Sequence, residues 1–383
     1  MKSFRELGLN DNIVKGLELQ NITEPTEIQA LAIPEILENK DVIGEAYTGS
    51  GKTLAFLAPI FQKINTKKRE MQILIIAPTH ELVMQTEAQI KMLAVNSKIP
   101  VTSLTLIGDV NIFNQIKKLK EIKPHIIVGT PGRVLDLMNK KKITSHTIKT
   151  IVIDEADNLL DNTSSAFVKD IIKKTMRDRE LLIFSATINK NTLEVAKLLM
   201  KDPVIFKSEG NVSLNPNIEH MYIEADPREK SEVLRKIISA ENPKKAVVFV
   251  NNVYNIDLVA ERLNYHNKNA FAMHNKLTKE QRQNAMEKFR SGKINILVSS
   301  DISARGLDIE GVTHIINLDF PANSLEYLHR AGRTARGKKS GSTISLVTPK
   351  EKHLIKKYEK EFKIKIEEKH LKQGQILSVN KHK

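Results

Sequence analysis

The sequence contains no cysteine, which excludes disulfides and thiolate metal centres and leaves no argument for an oxidising compartment. It has no run of the roughly 20 apolar residues that a membrane helix needs. Met1 to Asn10 lack the apolar stretch of a signal peptide, and no repeat of solenoid length is present. These absences lead to the expectation of a soluble, cytoplasmic protein without a membrane partner. What is there is ordinary globular composition, 40% hydrophobic and 27% charged, enough to supply packed cores. A chain of 383 residues exceeds what one core usually organises, so two domains are expected. Lys and Arg number 60 against 45 Asp and Glu, a formal charge of +15. That excess favours a polyanionic partner through counterion release. Taken alone it describes a Lys-rich solvated surface equally well.

Short apolar, β-branched runs alternate with longer amphipathic ones. Ile73 to Ala77, Ile126 to Val128, Ile151 to Ile153 and Leu181 to Phe184 read as buried strands between helices, the rhythm of a parallel α/β sheet. The rhythm breaks at Ser208 to Asn217, rich in Ser, Asn, Gly and Pro, which reads as an interdomain linker. A second series follows, with strands at Ala246 to Val250, Ile294 to Val298, His314 to Leu318 and Thr343 to Val347, and a helix at Lys279 to Arg290. From Lys350 onward there are 11 Lys against 5 Glu, and Leu354, Tyr358, Phe362 and Ile366 recur every four residues. This spacing predicts a last amphipathic helix, followed by a short basic tail from Lys369.

Chemistry is concentrated first at Ala46 to Thr53. The apolar Val42 and Ile43 lead into this Gly-rich segment, and a helical pattern starts at Leu54, so the context is strand, loop, helix. Thr48, Gly49, Ser50 and Gly51 would bring backbone amides to phosphate oxygens. Lys52 would neutralise the β and γ phosphates of ATP, and Thr53 would ligate Mg²⁺. Such a nucleotide also needs a carboxylate at the end of a neighbouring strand, and Asp154 directly follows the apolar Thr150 to Ile153. Asp154 is expected to hold the metal through water and Glu155 to orient or deprotonate the attacking water.

Asp154, Glu155, Ala156 and Asp157 spell the signature of the DEAD-box helicases, and from about Phe4 to Glu368 the chain resembles that family. The resemblance implies two tandem RecA-like parallel-sheet α/β domains joined by a short linker: 1–207, linker 208–217, 218–368, then the basic tail 369–383. Phe4, Pro25, Thr26 and Gln29 resemble the motif whose Gln reads the adenine edge. Ser185, Ala186 and Thr187 resemble the motif that couples hydrolysis to domain closure. Ser300, Asp301, Ala304, Arg305, Gly306 and Asp308 resemble a motif that touches RNA phosphate and the ATP ribose. His329, Arg330, Gly332, Arg333 and Arg336 match HRxGRxxR, in which Arg333 and Arg336 would act on the γ phosphate as arginine fingers. Asp157, Ser185, Thr187, His329 and Arg330 would couple the two halves. RNA contacts are implied for Pro78, Thr79, Glu81, Gly108, Thr130, Pro131, Gly132 and Arg133, and on the second half for Asn251, Arg282 and Ser300. Such contacts go mainly to phosphates and sugars, so sequence preference should be weak.

Four positions depart from the family pattern: His80 replaces Arg, Asp109 replaces Gly, Tyr47 replaces Gln, and Ile22 stands where an aromatic usually covers adenine. At His80 an imidazole takes the place of a permanently charged guanidinium. The expected function is an ATP-dependent RNA helicase acting as a monomer, with ATP hydrolysis stimulated by RNA and coupled to local separation of short duplexes. The alternatives are an ATP-gated RNA clamp and a DNA helicase. The family gains RNA targets from extensions, and here the basic end after Lys369 is the one candidate for extra affinity.

Overall fold

In the computed structural model the chain divides into two compact units, Met1–Val212 and Ser213–Lys383. The structure describes residues 2–47, 49–108, 110–160, 164–207, 214–274, 276–301, 311–335 and 340–379, without the side chains of Val253 and Lys279. Residues 208–213 of the expected linker lie outside this set.

The first unit holds β1 (Val42–Glu45), β2 (Ile73–Ile76), β3 (Ser103–Leu106), β4 (Ile126–Gly129), β5 (Thr150–Asp154), β6 (Glu180–Ser185) and β7 (Val204–Lys207). Their order is β3-β4-β2-β5-β6-β1-β7, with every pair parallel. Parallel neighbours need crossover connections, which here are helices on both faces. The pleat of β2 shows the consequence. Ile73 and Ile75 join a core with Ile28, Phe56 and Val83, while Leu74 and Ile76 join the opposite core with Ile151, Val134 and Ile171. Burial on both faces is why the central strands read as continuous apolar runs rather than alternating ones.

The second unit holds β8 (Ile218–Glu224), β9 (Ala246–Phe249), β10 (Ala270–Met273), β11 (Ile296–Ser299), β12 (His314–Asn317), β13 (Gly341–Val347), β14 (Glu367–Lys372) and β15 (Gln375–Ser378). The order is β10-β11-β9-β12-β13-β8-β14-β15, parallel except for the last pair. The helix expected at Lys279 to Arg290 has those bounds, opened by a capping box between Thr278 and Gln281.

The C-terminal end differs from expectation. The last helix runs Lys352–Phe362 and stops at Lys363, which takes the left-handed conformation (φ 51). Ile366, expected on that helix, lies beyond it and is buried. The segment from Lys369, expected as a basic tail, is folded: β14 pairs in parallel with β8, and β15 returns antiparallel through a two-residue turn. Gln373 and Gly374 both have positive φ, 51 and 78, as a hairpin turn matched to strand twist requires. Leu371 and Ile376 pack on the core beneath, and Lys369 pairs with Glu367 at 3.0 Å. The charged and polar residues around these two apolar side chains, Glu367 to Lys369 and Lys372 to Gln375, hide the strands in the sequence. Deleting 369–383 would therefore remove sheet structure as well as charge.

An aromatic cluster fixes the helix Ser324–Ala331, which carries His329 and Arg330. Tyr327 lies 5.6 Å from Tyr358 and 6.3 Å from Phe362, ring centre to ring centre, and Tyr358 stacks on Phe320 at 5.5 Å. His220 of β8 meets the Tyr327 hydroxyl at 2.9 Å. Burial pushes the His220 imidazole down to about 4 from the usual 6.5. A folded value below the unfolded one means that the neutral ring stabilises the fold fully above pH 6.5 and loses that contribution as the pH falls through 4. The loss should reach about 3 kcal/mol for the second unit. Urea unfolding of wild type and His220→Gln at pH 7.5 and about 4 measures it; equal pH dependence in the two proteins would disprove the assignment.

Candidate nucleotide site and nucleic-acid face

β1 delivers the Gly-rich loop to the start of the helix Lys52–Lys63. Gly49 and Gly51 have φ of 90 and 91, a region that residues with a Cβ avoid. At Gly51 space is also closed, since a Cβ would stand 2.4 Å from the Gln29 amide nitrogen. The Ser50 hydroxyl donates to the Tyr47 carbonyl at 2.7 Å. Lys52 Nζ bends back over the loop and donates to the carbonyls of Ala46 (2.5 Å) and Tyr47 (3.0 Å). Thr53 lies in the first turn of the helix, where backbone N–H groups have no helical partner and favour anions. Thr48 lies outside the described residues.

The strand order β5-β6-β1 brings the acidic segment to the same carboxyl edge of the sheet, with Asp154 opposite Phe184 and Glu45 opposite Ser185. Burial, and then the charge of Glu155, push the Asp154 carboxyl up to about 7, while Lys52 acts against that rise. Burial likewise lowers Lys52, and Asp154, Glu155 and Asp157 pull it back up. Glu155 has φ 52, a left-handed conformation that costs a residue with a side chain about 1–3 kcal/mol and is concentrated at functional sites. Its N–H donates to Asp154 Oδ1 at 3.0 Å. Asp157 is tied to β6: its N–H donates to Ser185 Oγ (3.1 Å), and Thr187 Oγ1 donates to Asp157 Oδ2 (3.2 Å). Asn158, which the sequence reading passed over, donates to Glu155 and Asp157 at 3.4 and 3.5 Å. The signal for it was simple adjacency to the acidic run.

Among the described residues no group of three His, Asp or Glu could enclose a metal. The oxygens of Thr53 and Asp154 beside a phosphate loop instead suit Mg²⁺ carried in by a nucleotide, because that ion keeps water and phosphate ligands and takes one or two from protein.

Gln29 is 2% exposed and holds the loop from behind. It accepts from the Thr26 N–H (3.0 Å) and donates to the Gly51 carbonyl (3.1 Å). Pro25 is buried beside them. Phe4 departs from the expected role: it is 2% exposed inside the core with Leu7 and Leu17, so it packs the fold and has no surface to offer a nucleotide. Ile22 is half-buried against the same core.

Three loops after the adjacent strands β3, β4 and β2 carry the residues expected at RNA. After β2, Pro78 and Thr79 precede the helix His80–Ser97, with Thr79 Oγ1 accepting from Leu82 N–H and Glu81 in the first turn. After β3, a Cβ on Gly108 would lie 3.4 Å from the His80 ring. Asp109 lies outside the described residues. After β4, Thr130 N–H donates to the Leu106 carbonyl (3.0 Å) and Pro131 opens the helix Pro131–Asn139. Gly132 is open on its Cβ side, and Arg133 Nη1 donates to the Val110 carbonyl at 3.0 Å. Helix N-termini at one sheet edge make this face receptive to phosphate.

In the second unit Arg330 corrects an expectation. It is 1% exposed, and all five of its N–H groups are used: Nε and Nη2 on Asp301, Nη2 on Asn251, Nη1 on Asn317 and on the Asp319 carbonyl, at 2.5–3.2 Å. Its guanidinium also covers the Phe249 ring at 5.0 Å. Arg330 therefore ties the ends of β9 and β12 to the helix Ser324–Ala331, and any coupling through it is indirect. Asn251 Oδ1 belongs to the same network, and its N–H donates to Asp319 at 2.8 Å. Arg282 donates to the His274 carbonyl at 3.3 Å, and Ser300 is 4% exposed. His329 and Arg333 are each 6% exposed, and Ala335, just before Arg336, has φ 51. Gly306, Asp308 and Arg336 lie outside the described residues, as do Ala304 and Arg305.

A glycine loop at a helix N-terminus, with a lysine reaching over it and a buried carboxylate at the end of the next strand but one, defines a P-loop nucleotide-binding unit. The DEAD/DEAH box helicase family matches residues 26–195, and the helicase conserved C-terminal domain matches residues 229–338. The DEAD-box ATP-dependent RNA helicase CshC of Bacillus cereus is 41% identical over 91% of this chain and 88% of its own length. CshA of Bacillus cereus, of the same description, is 37% identical over 96% of this chain and 69% of its own. Among solved structures, S. cerevisiae Dbp5 bound to RNA and ADP BeF3 aligns with a TM-score of 0.88 at 28% identity, covering 96% of this chain and 95% of that one. Mss116p bound to ssRNA and AMP-PNP aligns at 0.86 and 26%, covering 97% and 79%. This chain belongs to the DEAD-box ATP-dependent RNA helicases.

Proposed function

We propose that the protein is an RNA-stimulated ATPase that separates short RNA duplexes locally, as a monomer in the reducing cytoplasm that suits a chain without cysteine. The observation that carries this reading is the convergence of Lys52, Asp154 and Glu155 on one glycine loop, with Asp157 bonded to both Ser185 and Thr187.

The residues have the following parts. Gln29, with Pro25 and Thr26, bounds the base, and the amides of Gly49 to Thr53 with Lys52 hold the phosphates. Thr53 and Asp154 would hold Mg²⁺, which supplies charge to the phosphates when bound. Glu155 orients the attacking water and accepts its proton. Arg333 and Arg336 supply arginine-finger charge, while Gly306 and Asp308 bind the ribose side. Thr187 and Ser185 relay the state of Asp157 towards the rest of the protein, and His329 takes part in that coupling. Pro78, Thr79, Glu81, Gly108, Thr130, Pro131, Gly132 and Arg133 hold RNA through its backbone, joined by Asn251, Arg282 and Ser300. Closure that bends one strand destabilises a few base pairs, and no translocation is needed.

His80, in place of a guanidinium beside Gly108, favours a second reading as an ATP-gated RNA clamp with little unwinding. An ATPase assay run beside displacement of a short duplex tests both. RNA-stimulated turnover with strand release supports the helicase, RNA-dependent ATP-state binding without release supports the clamp, and no stimulation by RNA sinks the proposal. Equal stimulation by DNA of the same sequence would point to a DNA helicase, since recognition of the 2′-OH favours RNA.

A further inference from the structure

We propose that Phe113 is a stacking platform for an unpaired base of the RNA held by the loops after β2, β3 and β4. The inference rests on the RNA-binding reading above and extends it from backbone to base. Of 12 Phe in the chain, eight are buried, and Phe113 is the most exposed at 76%. One exposed apolar side chain is ordinary by itself. What surrounds this one is not.

The ring stands in the first turn of the helix Ile112–Ile122, and its backbone is fixed because Asn111 Oδ1 accepts the Phe113 N–H at 2.8 Å. On one side the Val110 carbonyl is held by Arg133 at 3.0 Å, and on the other Gln115 Nε2 donates to the Ile107 carbonyl at 2.9 Å. Gln115 is itself buried. The segment bearing the ring is thus tied down at three points, so stacking on it loses little conformational freedom.

The loops at the same sheet edge carry groups suited to phosphate. Arg133 is bonded to its loop, the His80 imidazole faces Gly108, and the helix N-termini at His80, Ile112 and Pro131 open on the ends of the adjacent strands β2, β3 and β4. A ligand that satisfies a guanidinium, an imidazole and N–H groups while covering a flat apolar ring is one with phosphates and an aromatic face. A single strand offers such a face; a duplex keeps its base faces stacked inside. Phe113 would therefore favour the separated strand over the duplex, adding to the discrimination that strand bending supplies.

The test uses the full chain with a non-hydrolysable ATP analogue and measures binding of a short oligouridine and of an abasic ribose–phosphate oligomer of equal length. Wild type should bind the abasic oligomer about tenfold more weakly. Phe113→Ala should bind oligouridine as weakly as wild type binds the abasic strand, with unchanged Tm and an unchanged salt slope, because no phosphate contact is lost. Phe113→Trp should restore the preference, whereas Arg133→Ala should lower the salt slope by about 0.7. Phe113→Ala binding oligouridine like wild type, or wild type ignoring the missing bases, overturns the inference while RNA binding stands. Failure of every strand to bind removes the RNA reading and this inference with it.

Discussion

Glu155→Gln should lower the kcat of ATP hydrolysis by about 10³-fold, within the range that a positioned general base supplies, and leave ATP bound. The geometry behind this is specific. Glu155 sits in a left-handed conformation just past the end of β5, with its N–H on Asp154 and its carboxylate in reach of the Asn158 amide. The amide of Gln keeps the shape and most of the hydrogen bonds but cannot take a proton from water. Turnover stops after binding, so the ATP state persists and RNA bound to it is released slowly. Single-turnover hydrolysis and RNA dissociation rates measured together decide the matter. Hydrolysis within a few-fold of wild type would remove Glu155 from the chemistry and leave the acidic run as a helix start.

Lys52→Ala should act one step earlier, weakening ATP binding by about 100-fold, the scale expected when a charged hydrogen-bond donor is lost from a phosphate site. Lys52 has its ammonium in the loop, on the carbonyls of Ala46 and Tyr47. It also opposes the upward shift of Asp154. Its removal leaves the buried carboxylates uncompensated in the same place where the phosphates of ATP arrive. Binding of a fluorescent ATP analogue gives the affinity directly, and a loss of less than twofold would show that the loop amides alone hold the phosphates. The two variants divide the site, since one should lose binding and the other should keep it and lose turnover.

Much of the candidate nucleotide site was legible because its parts are local. Gly49 and Gly51 are readable because only glycine tolerates their φ, and Lys52 and Thr53 follow from the helix that must start there. Central strands such as β2 and β5 were legible because burial on both faces demands unbroken apolar runs. β14 and β15 were not, since their stabilisation comes from pairing with β8 and from two side chains, Leu371 and Ile376, set among charges. Phe4 was placed at the nucleotide by motif resemblance, and the fold puts it in the core instead. Arg330 was given an inter-half role by motif resemblance; only the fold shows its donors consumed by Asp301, Asn251, Asn317 and Asp319.

The amino-acid order alone determined the α/β class, the doubling of the fold, the phosphate loop and the acidic strand end, because each depends on residue type and short-range spacing. The tertiary structure alone decided which of the many polar residues share a site, how Asp157 meets Ser185 and Thr187, and where Phe113 stands exposed. Those facts depend on strand order and register, which bring residues distant in the chain to one sheet edge, and no local pattern encodes that adjacency.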